Sequence, residues 1–277
     1  MTNTLKTVDK INVCIDYIKR FFKESNGKKA IIGISGGKDS TVAAALCVQA
    51  LGKENVFGVL MPNGLTSKSA AKDLEDGREV CRILDIKYHI FDIHDAYHSL
   101  LFNVENLLYC QNNNIKNAIA SNQTKINLAP RIRMSVLYAI AQSMNGRVIN
   151  TTNACERFVG YGTLFGDTVG DLALLKNLMV SEIYEIGDVL GLPHDLVYKT
   201  PADGLTGKSD EEVLGVTYAD IEKYWKAYNY SNTYHDEGQA YYNMQNLMNK
   251  DIFEKIKALH LNSEFKRQII NVPGPEF

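Results

Sequence analysis

Gly33-Ile34-Ser35-Gly36-Gly37-Lys38-Asp39-Ser40 is the stretch whose reading decides the fold. It follows the apolar run Ala30-Ile31-Ile32 and leads into Thr41-Val42-Ala43-Ala44-Ala45-Leu46, a helix of small residues. A strand, a Gly/Ser-rich turn and a helix N-terminus in that order build an anion cradle. The glycines let the backbone approach a phosphate, and the free N–H groups and the helix dipole face its charge. Ser35 and Ser40 add hydroxyl donors, Lys38 a cation, and Asp39 a carboxylate able to hold Mg²⁺ on phosphate oxygens. The lysine is followed by Asp39, which excludes a Walker A motif. The Gly-x-Gly-x-x-Gly dinucleotide fingerprint is also missing.

Working outward, strand and helix patterns alternate. Val8, Ile11, Ile15, Ile18 and Phe22 fall at helical spacing and predict an amphipathic helix over 8–25. Short Ile/Val/Phe/Thr-rich segments predict strands at 30–34, 55–61, 87–92 and 147–152. Helices are expected at 40–51, 67–84, 94–109 and 128–145, with Gly52 and Gly146 as C-terminal stops. Such alternation implies an α/β fold, a doubly wound parallel sheet flanked by helices, with ligands beyond the carboxyl ends of the strands. Residues 153–175 read as a Gly-rich, aromatic, irregular loop too apolar for disorder. Capping boxes at Ser209…Glu212 and Thr217…Asp220 open a helical C-terminal extension. Asn112-Asn113-Asn114 reads as a loop.

The 277 residues carry 30 basic and 32 acidic side chains, so no basic excess points to nucleic acid. No apolar run approaches the roughly 18–20 residues that span a bilayer, and the polar start does not read as a signal peptide. Five scattered cysteines without a Cys-x-x-Cys pair imply a reducing, cytoplasmic setting. Cys155 stands beside Glu156 with nothing nearby to activate it, and reads as a packing thiol. His94 and His98, with Asp92 and Asp95, have a spacing open to zinc, but surface histidines beside acids are commoner. Tyr224, Trp225, Tyr228 and Tyr230 read as packing rather than as a base-stacking platform.

The loop resembles the pyrophosphate loop of ATP pyrophosphatases, and the rest of the chain narrows the family. Its later motifs are Asn127-Leu128-Ala129-Pro130-Arg131-Ile132-Arg133-Met134, Asn150-Thr151-Thr152-Asn153-Ala154-Cys155-Glu156, Gly160-Tyr161-Gly162-Thr163, Gly166-Asp167, Gly187-Asp188-Val189-Leu190-Gly191-Leu192-Pro193 and Thr200-Pro201-Ala202-Asp203-Gly204-Leu205. Their order and spacing from about residue 8 to 267 resemble ammonia-dependent NAD synthetase. The resemblance implies a ligase of NAD biosynthesis that uses ATP and Mg²⁺ to amidate deamido-NAD with ammonia through an adenylated intermediate, releasing AMP and pyrophosphate. It implies ATP contacts at Gly33, Ile34, Ser35, Gly36, Gly37, Lys38, Asp39, Ser40, Met61, Thr151, Val180 and Ala202. Lys38, Asp39 and Ser40 would be catalytic, and Asp39 with Glu156 the metal ligands. Deamido-NAD would meet Arg131, Leu164, Asp171, Phe265 and Lys266. Residues 1–277 would form one domain, with the ATP pyrophosphatase core at 8–205, a helical part and tail at 206–277, and no glutaminase domain. A cytoplasmic homodimer follows, with ammonia taken directly or from an external donor, and with no nucleic acid or membrane partner.

The chain departs from the family at four of these positions. Leu164 stands where lysine is usual, Val180 where many members have lysine, Ala202 where Ser or Thr is common, and Phe265 where His is. A cation lost at 164 would weaken the deamido-NAD site. Two other readings keep part of the pattern: an ATP pyrophosphatase with another acceptor, and a degenerate adenylate-binding protein.

Overall fold

The computed structural model describes residues 5–64, 67–112, 119–199, 209–234 and 248–277. Five strands form one sheet: β1 (Lys29–Gly33), β2 (Val56–Leu60), β3 (Lys87–Ile90), β4 (Gly146–Asn150) and β5 (Leu172–Ala173). Their order is β3-β2-β1-β4-β5, and every pairing is parallel. The chain builds outward from β1 to β3, then returns to place β4 on the other side of β1. That reversal opens a crevice at the carboxyl ends of β1 and β4, where open α/β sheets take their ligands.

Helices cover the sheet because their apolar faces have nowhere else to go. Helix α1 (Thr7–Glu24) buries Ile11, Cys14, Ile18 and Phe22. The expected stripe began at Val8, which is exposed; the buried face runs through Cys14 instead. Helix α2 (Lys38–Leu51) is buried on nearly every side, as Ala43, Ala44, Ala45 and Cys47 allow. Each fully buried Val, Ile or Leu in this layer contributes about 1.5–3 kcal/mol. Helix α3 (Lys68–Ile83) follows β2, and helices α4 (His94–Asn112) and α5 (Asn122–Ser143) link β3 to β4.

Helix α5 begins six residues before the expected 128. Its first turns are polar and invisible to hydrophobic periodicity, but Ser121 caps them by accepting the Thr124 N–H at 3.1 Å. Pro130 consequently lies inside the helix. Helix α4 continues to Asn112, the first of the three asparagines expected in a loop, and Asn113 and Asn114 lie outside the described residues. The stop after α5 is Asn145, at φ 49°, not Gly146. Gly146 opens β4, where a Cβ would stand 2.6 Å from Ile31 Cγ1.

Beyond β4 the stretch expected to be irregular contains a short helix, α6 (Ala154–Val159), and the edge strand β5. Helices α7 (Val180–Val189) and α8 (His194–Val197) pack on α2. Helices α9 (Asp210–Leu214), α10 (Tyr218–Tyr234), α11 (Lys250–Asn262) and α12 (Glu264–Ile269) make the helical end. Both expected caps are present: Ser209 accepts from the Glu212 N–H and Thr217 from the Asp220 N–H. Tyr224 and Phe253 join Phe158 and Cys155 of α6 in a second core with Trp225 and Tyr228 against it, so these three aromatics of the run pack, while the Tyr230 side chain lies outside what is described. The last residues then turn back onto the sheet. The Ala173 N–H donates to the Pro273 carbonyl at 2.8 Å, and Asn177 Nδ2 to that of Pro275 at 2.8 Å.

Candidate active site

The cradle forms where β1 ends. Gly36 takes φ 76° and lies against α3, so a Cβ there would stand 2.7 Å from Asp76 Cβ. The turn closes on its own hydroxyls. Ser35 Oγ and Ser40 Oγ are 3.1 Å apart, the Gly37 N–H donates to Ser35 Oγ at 3.2 Å, and Ser40 Oγ donates to the Gly37 carbonyl at 3.1 Å.

Lys38 opens α2 and is 2% exposed. Its ammonium sits 3.0 Å from Asp39 Oδ2 and 5.2 Å from the centre of the Tyr218 ring. Burial pulls its pKa down, but the charges of Asp39 and Glu156 outweigh burial and hold it above the usual lysine value. Tyr218 is fixed in turn: its hydroxyl and that of Tyr161 donate to the two oxygens of Asp210, each at 3.0 Å.

The crevice brings Glu156 to the same place from β4. Asn153, fully buried, is the hub. It donates from Nδ2 to Asp39 Oδ1 at 3.2 Å, accepts the Glu156 N–H at 2.9 Å, and gives its own N–H to Glu156 Oε2 at 3.0 Å. Burial and the neighbouring Asp39 carboxylate push the Glu156 pKa well above the ordinary range. Its Oε1 takes no hydrogen bond from a described residue. Two mutually repelling carboxylates from two strand ends, one oxygen still free, fit a hard divalent cation. Among the described residues no third His, Cys, Asp or Glu completes a protein-only cage, so phosphate and water would supply the other ligands.

The other expected contacts are placed less evenly. Met61 follows β2, and its carbonyl accepts from Arg133 Nε at 3.0 Å. Thr151 lies just past the end of β4 at Asn150. Val180, at the start of α7, is buried in the second core. Arg131 is exposed, and its Nε donates to the Leu164 carbonyl at 3.1 Å, while Arg133 is the more buried of the two. Asp171 accepts the Val148 N–H at 2.7 Å, which ties β4 to the start of β5. Phe265 is exposed on α12. Lys266 Nζ reaches inward to the carbonyls of Gly160 at 2.8 Å and Gly162 at 2.7 Å; burial lowers its pKa, opposed by Asp167. Ala202 lies outside the described residues, as does the stretch from Thr200 to Lys208.

Among the described residues no third ligand joins the histidine pair: the His94 and His98 rings lie 4.3 Å apart, and Asp92 is occupied with the Gly64 and His94 N–H groups. Cys155 is a buried thiol pushed above its usual pKa by burial, as expected of packing. Sequence reasoning missed Asn153, Asp210 and Tyr218 as parts of the site. The only signals for them were the caps that Asn153 and Ser209 announce.

The family model for NAD synthase matches residues 10–270. The chain is 38% identical over 201 residues to the NH(3)-dependent NAD(+) synthetase of Methanococcus aeolicus, covering 72% of this chain and 74% of that one. Among solved structures, NMN synthetase from Francisella tularensis matches with a TM-score of 0.77 at 29% identity, over 97% of this chain and 99% of that one. The NH3-dependent NAD synthetase from Campylobacter jejuni matches with a TM-score of 0.73 at 27% identity, over 97% and 100%.

Proposed function

The chain belongs to the NAD synthase family, and on that premise we propose that it makes NAD by amidating deamido-NAD with ammonia at the expense of ATP. The observation that carries this reading is the meeting of Lys38, Asp39 and Glu156 in the crevice between β1 and β4. A carboxylate is a poor acyl donor until one of its oxygens becomes a good leaving group. Adenylation provides one: the nicotinate oxygen attacks the α-phosphorus of ATP and the bond to the β-phosphate oxygen breaks. Pyrophosphate leaves into the cradle, where backbone N–H groups, Ser35, Ser40 and the Lys38 ammonium stabilise the departing charge. Mg²⁺ held by Asp39 and Glu156 would neutralise phosphate oxygens. Ammonia then attacks the acyl carbon, AMP departs, and one proton leaves the nitrogen for solvent. We read the described chain as one domain for this purpose, because α10 and α11 pack on α6 beside Glu156.

The test is a turnover assay with ATP, Mg²⁺, deamido-NAD and ammonium. NAD, AMP and pyrophosphate should appear in equal amounts, and Glu156→Gln should remove AMP formation while the protein still melts cooperatively. ATP cleavage without NAD would sink the reading. The likeness to an NMN synthetase supports one alternative acceptor, nicotinate mononucleotide, and competition between the two acceptors decides it.

A homodimer is part of the proposal. Leu100, Phe102, Leu107, Ile119 and Ile126, on α4, α5 and the stretch just before α5, are large apolar side chains left in solvent, a surface that association would cover. Sedimentation should give a single species of twice the chain mass at micromolar concentration; a stable active monomer would exclude it.

A further inference from the structure

A cavity of about 50 Å³ is lined by Asn150 and Thr152 at the carboxyl end of β4, by Glu156 of α6, and by four cations, Arg157, Lys176, Lys266 and Arg267. Lys266 and Arg267 are spent on the protein, while Lys176 is held more loosely, by one carbonyl and by the exposed Glu276 at 3.8 Å. Arg267 donates to the carbonyls of Phe158 at 2.8 Å and His260 at 2.6 Å and pairs with Glu264. Lys266 holds Gly160 and Gly162, and Lys176 gives one bond to the Val272 carbonyl at 3.3 Å.

Arg157 is different. It is half-buried, yet its guanidinium makes no hydrogen bond or ion pair with any described residue. The Arg267 charge disfavours it and, among the described residues, the exposed Glu276 opposes that effect while also pairing with Lys176. Its nitrogens are not sealed from solvent, so the five N–H groups of the guanidinium stand available to an incoming acceptor, beside a second arginine whose charge an anion would offset. The arrangement is relieved by an anion that accepts from the planar guanidinium fork, and a phosphate group matches that fork.

We propose that Arg157, with Lys176, forms the phosphate subsite for the pyridine nucleotide substrate. This rests on the ligase reading above and adds to it residues that the family resemblance does not name. Asn150, Thr152 and Glu156 line the same cavity, so a nucleotide anchored by its phosphate at Arg157 shares a space with the carboxylate that borders the ATP cradle. Cations at 157 and 176 would then provide the charge that Leu164 withholds.

The experiment is calorimetric titration of the full chain with deamido-NAD, paired with steady-state kinetics and a thermal melt. Arg157→Gln should weaken deamido-NAD binding about tenfold to hundredfold, the loss of a hydrogen bond to a charged group, with the KM for ATP unmoved. Arg157→Lys, which keeps the charge but not the fork, should fall between. Wild-type affinity in Arg157→Gln overturns the proposal. If Arg157→Gln does not fold, Lys176→Gln is read with the same ligand: weakened binding supports the subsite and unchanged binding overturns it. If the wild type does not bind deamido-NAD, the ligase reading has failed, and ribose 5-phosphate becomes the probe. Binding lost in Arg157→Gln then supports the subsite, and absent or equal binding overturns it.

Discussion

Lys38 is a charge held in the interior by two neighbours of different kinds, the Asp39 carboxylate and the π-face of Tyr218. A desolvated cation–π contact is worth about 2 kcal/mol, and Tyr218 is oriented by its bond to Asp210. Tyr218→Leu should therefore lower kcat/KM for ATP about tenfold or more, the rate equivalent of roughly 1.4 kcal/mol. Tyr218→Phe keeps the ring and should lose much less; equal losses would show that the ring face does not hold the ammonium. None of this was legible in the sequence, because Tyr218 lies 180 positions from Lys38 and no local pattern links them. The cradle itself was legible, since its parts are contiguous: the glycines, the hydroxyls and the helix start all fall within eight residues. Glu156 as partner of Asp39 came from resemblance alone. What seats it is Asn153, which opens the stretch expected to be irregular and in space links Asp39 to Glu156.

At the scale of elements, periodicity found what is amphipathic and overlooked what is not. Four strands and the helices between them fell near their expected positions, because each buries a regular set of side chains. The start of α5 and the two-residue β5 escaped, one being polar in its first turns and the other too short to show a pattern. The junction of β1 with α2 depends on Gly36, whose φ of 76° and contact with α3 leave no room for a side chain. Gly36→Ala should lower stability by about 1–3 kcal/mol from backbone strain, more if α3 must shift. Chemical denaturation would measure the loss, and ATP affinity should fall with it because the displaced turn carries the phosphate donors. An alanine variant as stable as wild type would mean that the junction relaxes freely.

For the whole molecule, the doubly wound architecture was legible because a parallel sheet needs crossovers and the chain spells them out. The second core, which joins α6 to the helical end, was not, since it is assembled from residues over 100 positions apart. His260 belongs to that core: its ring stacks on Phe158 at 4.1 Å and its Nδ1 meets the Phe158 carbonyl at 2.9 Å. Burial lowers its pKa below the usual histidine value, against the pull of that carbonyl. The unfolded chain then takes up the proton first, near pH 6.5, and the native state only at lower pH. Stability should thus be full above about pH 6.5 and fall as pH drops toward the native value, and His260→Gln should flatten that fall. Melting temperatures measured from pH 7 to pH 5 would show it, and an identical slope in both proteins would rule it out. The tail that returns to β5 has a consequence of another kind. β5 is an edge strand, and open edges recruit strands from other molecules. The tail covers this edge with Pro273-Gly274-Pro275, and neither proline has an N–H to offer a further strand. It pairs with the sheet and ends the pairing there. Cutting the chain after Asn271 should make the protein prone to polymerise, seen as light scattering that grows with concentration; a truncated protein that stays clear would show that the edge is safe without its cover.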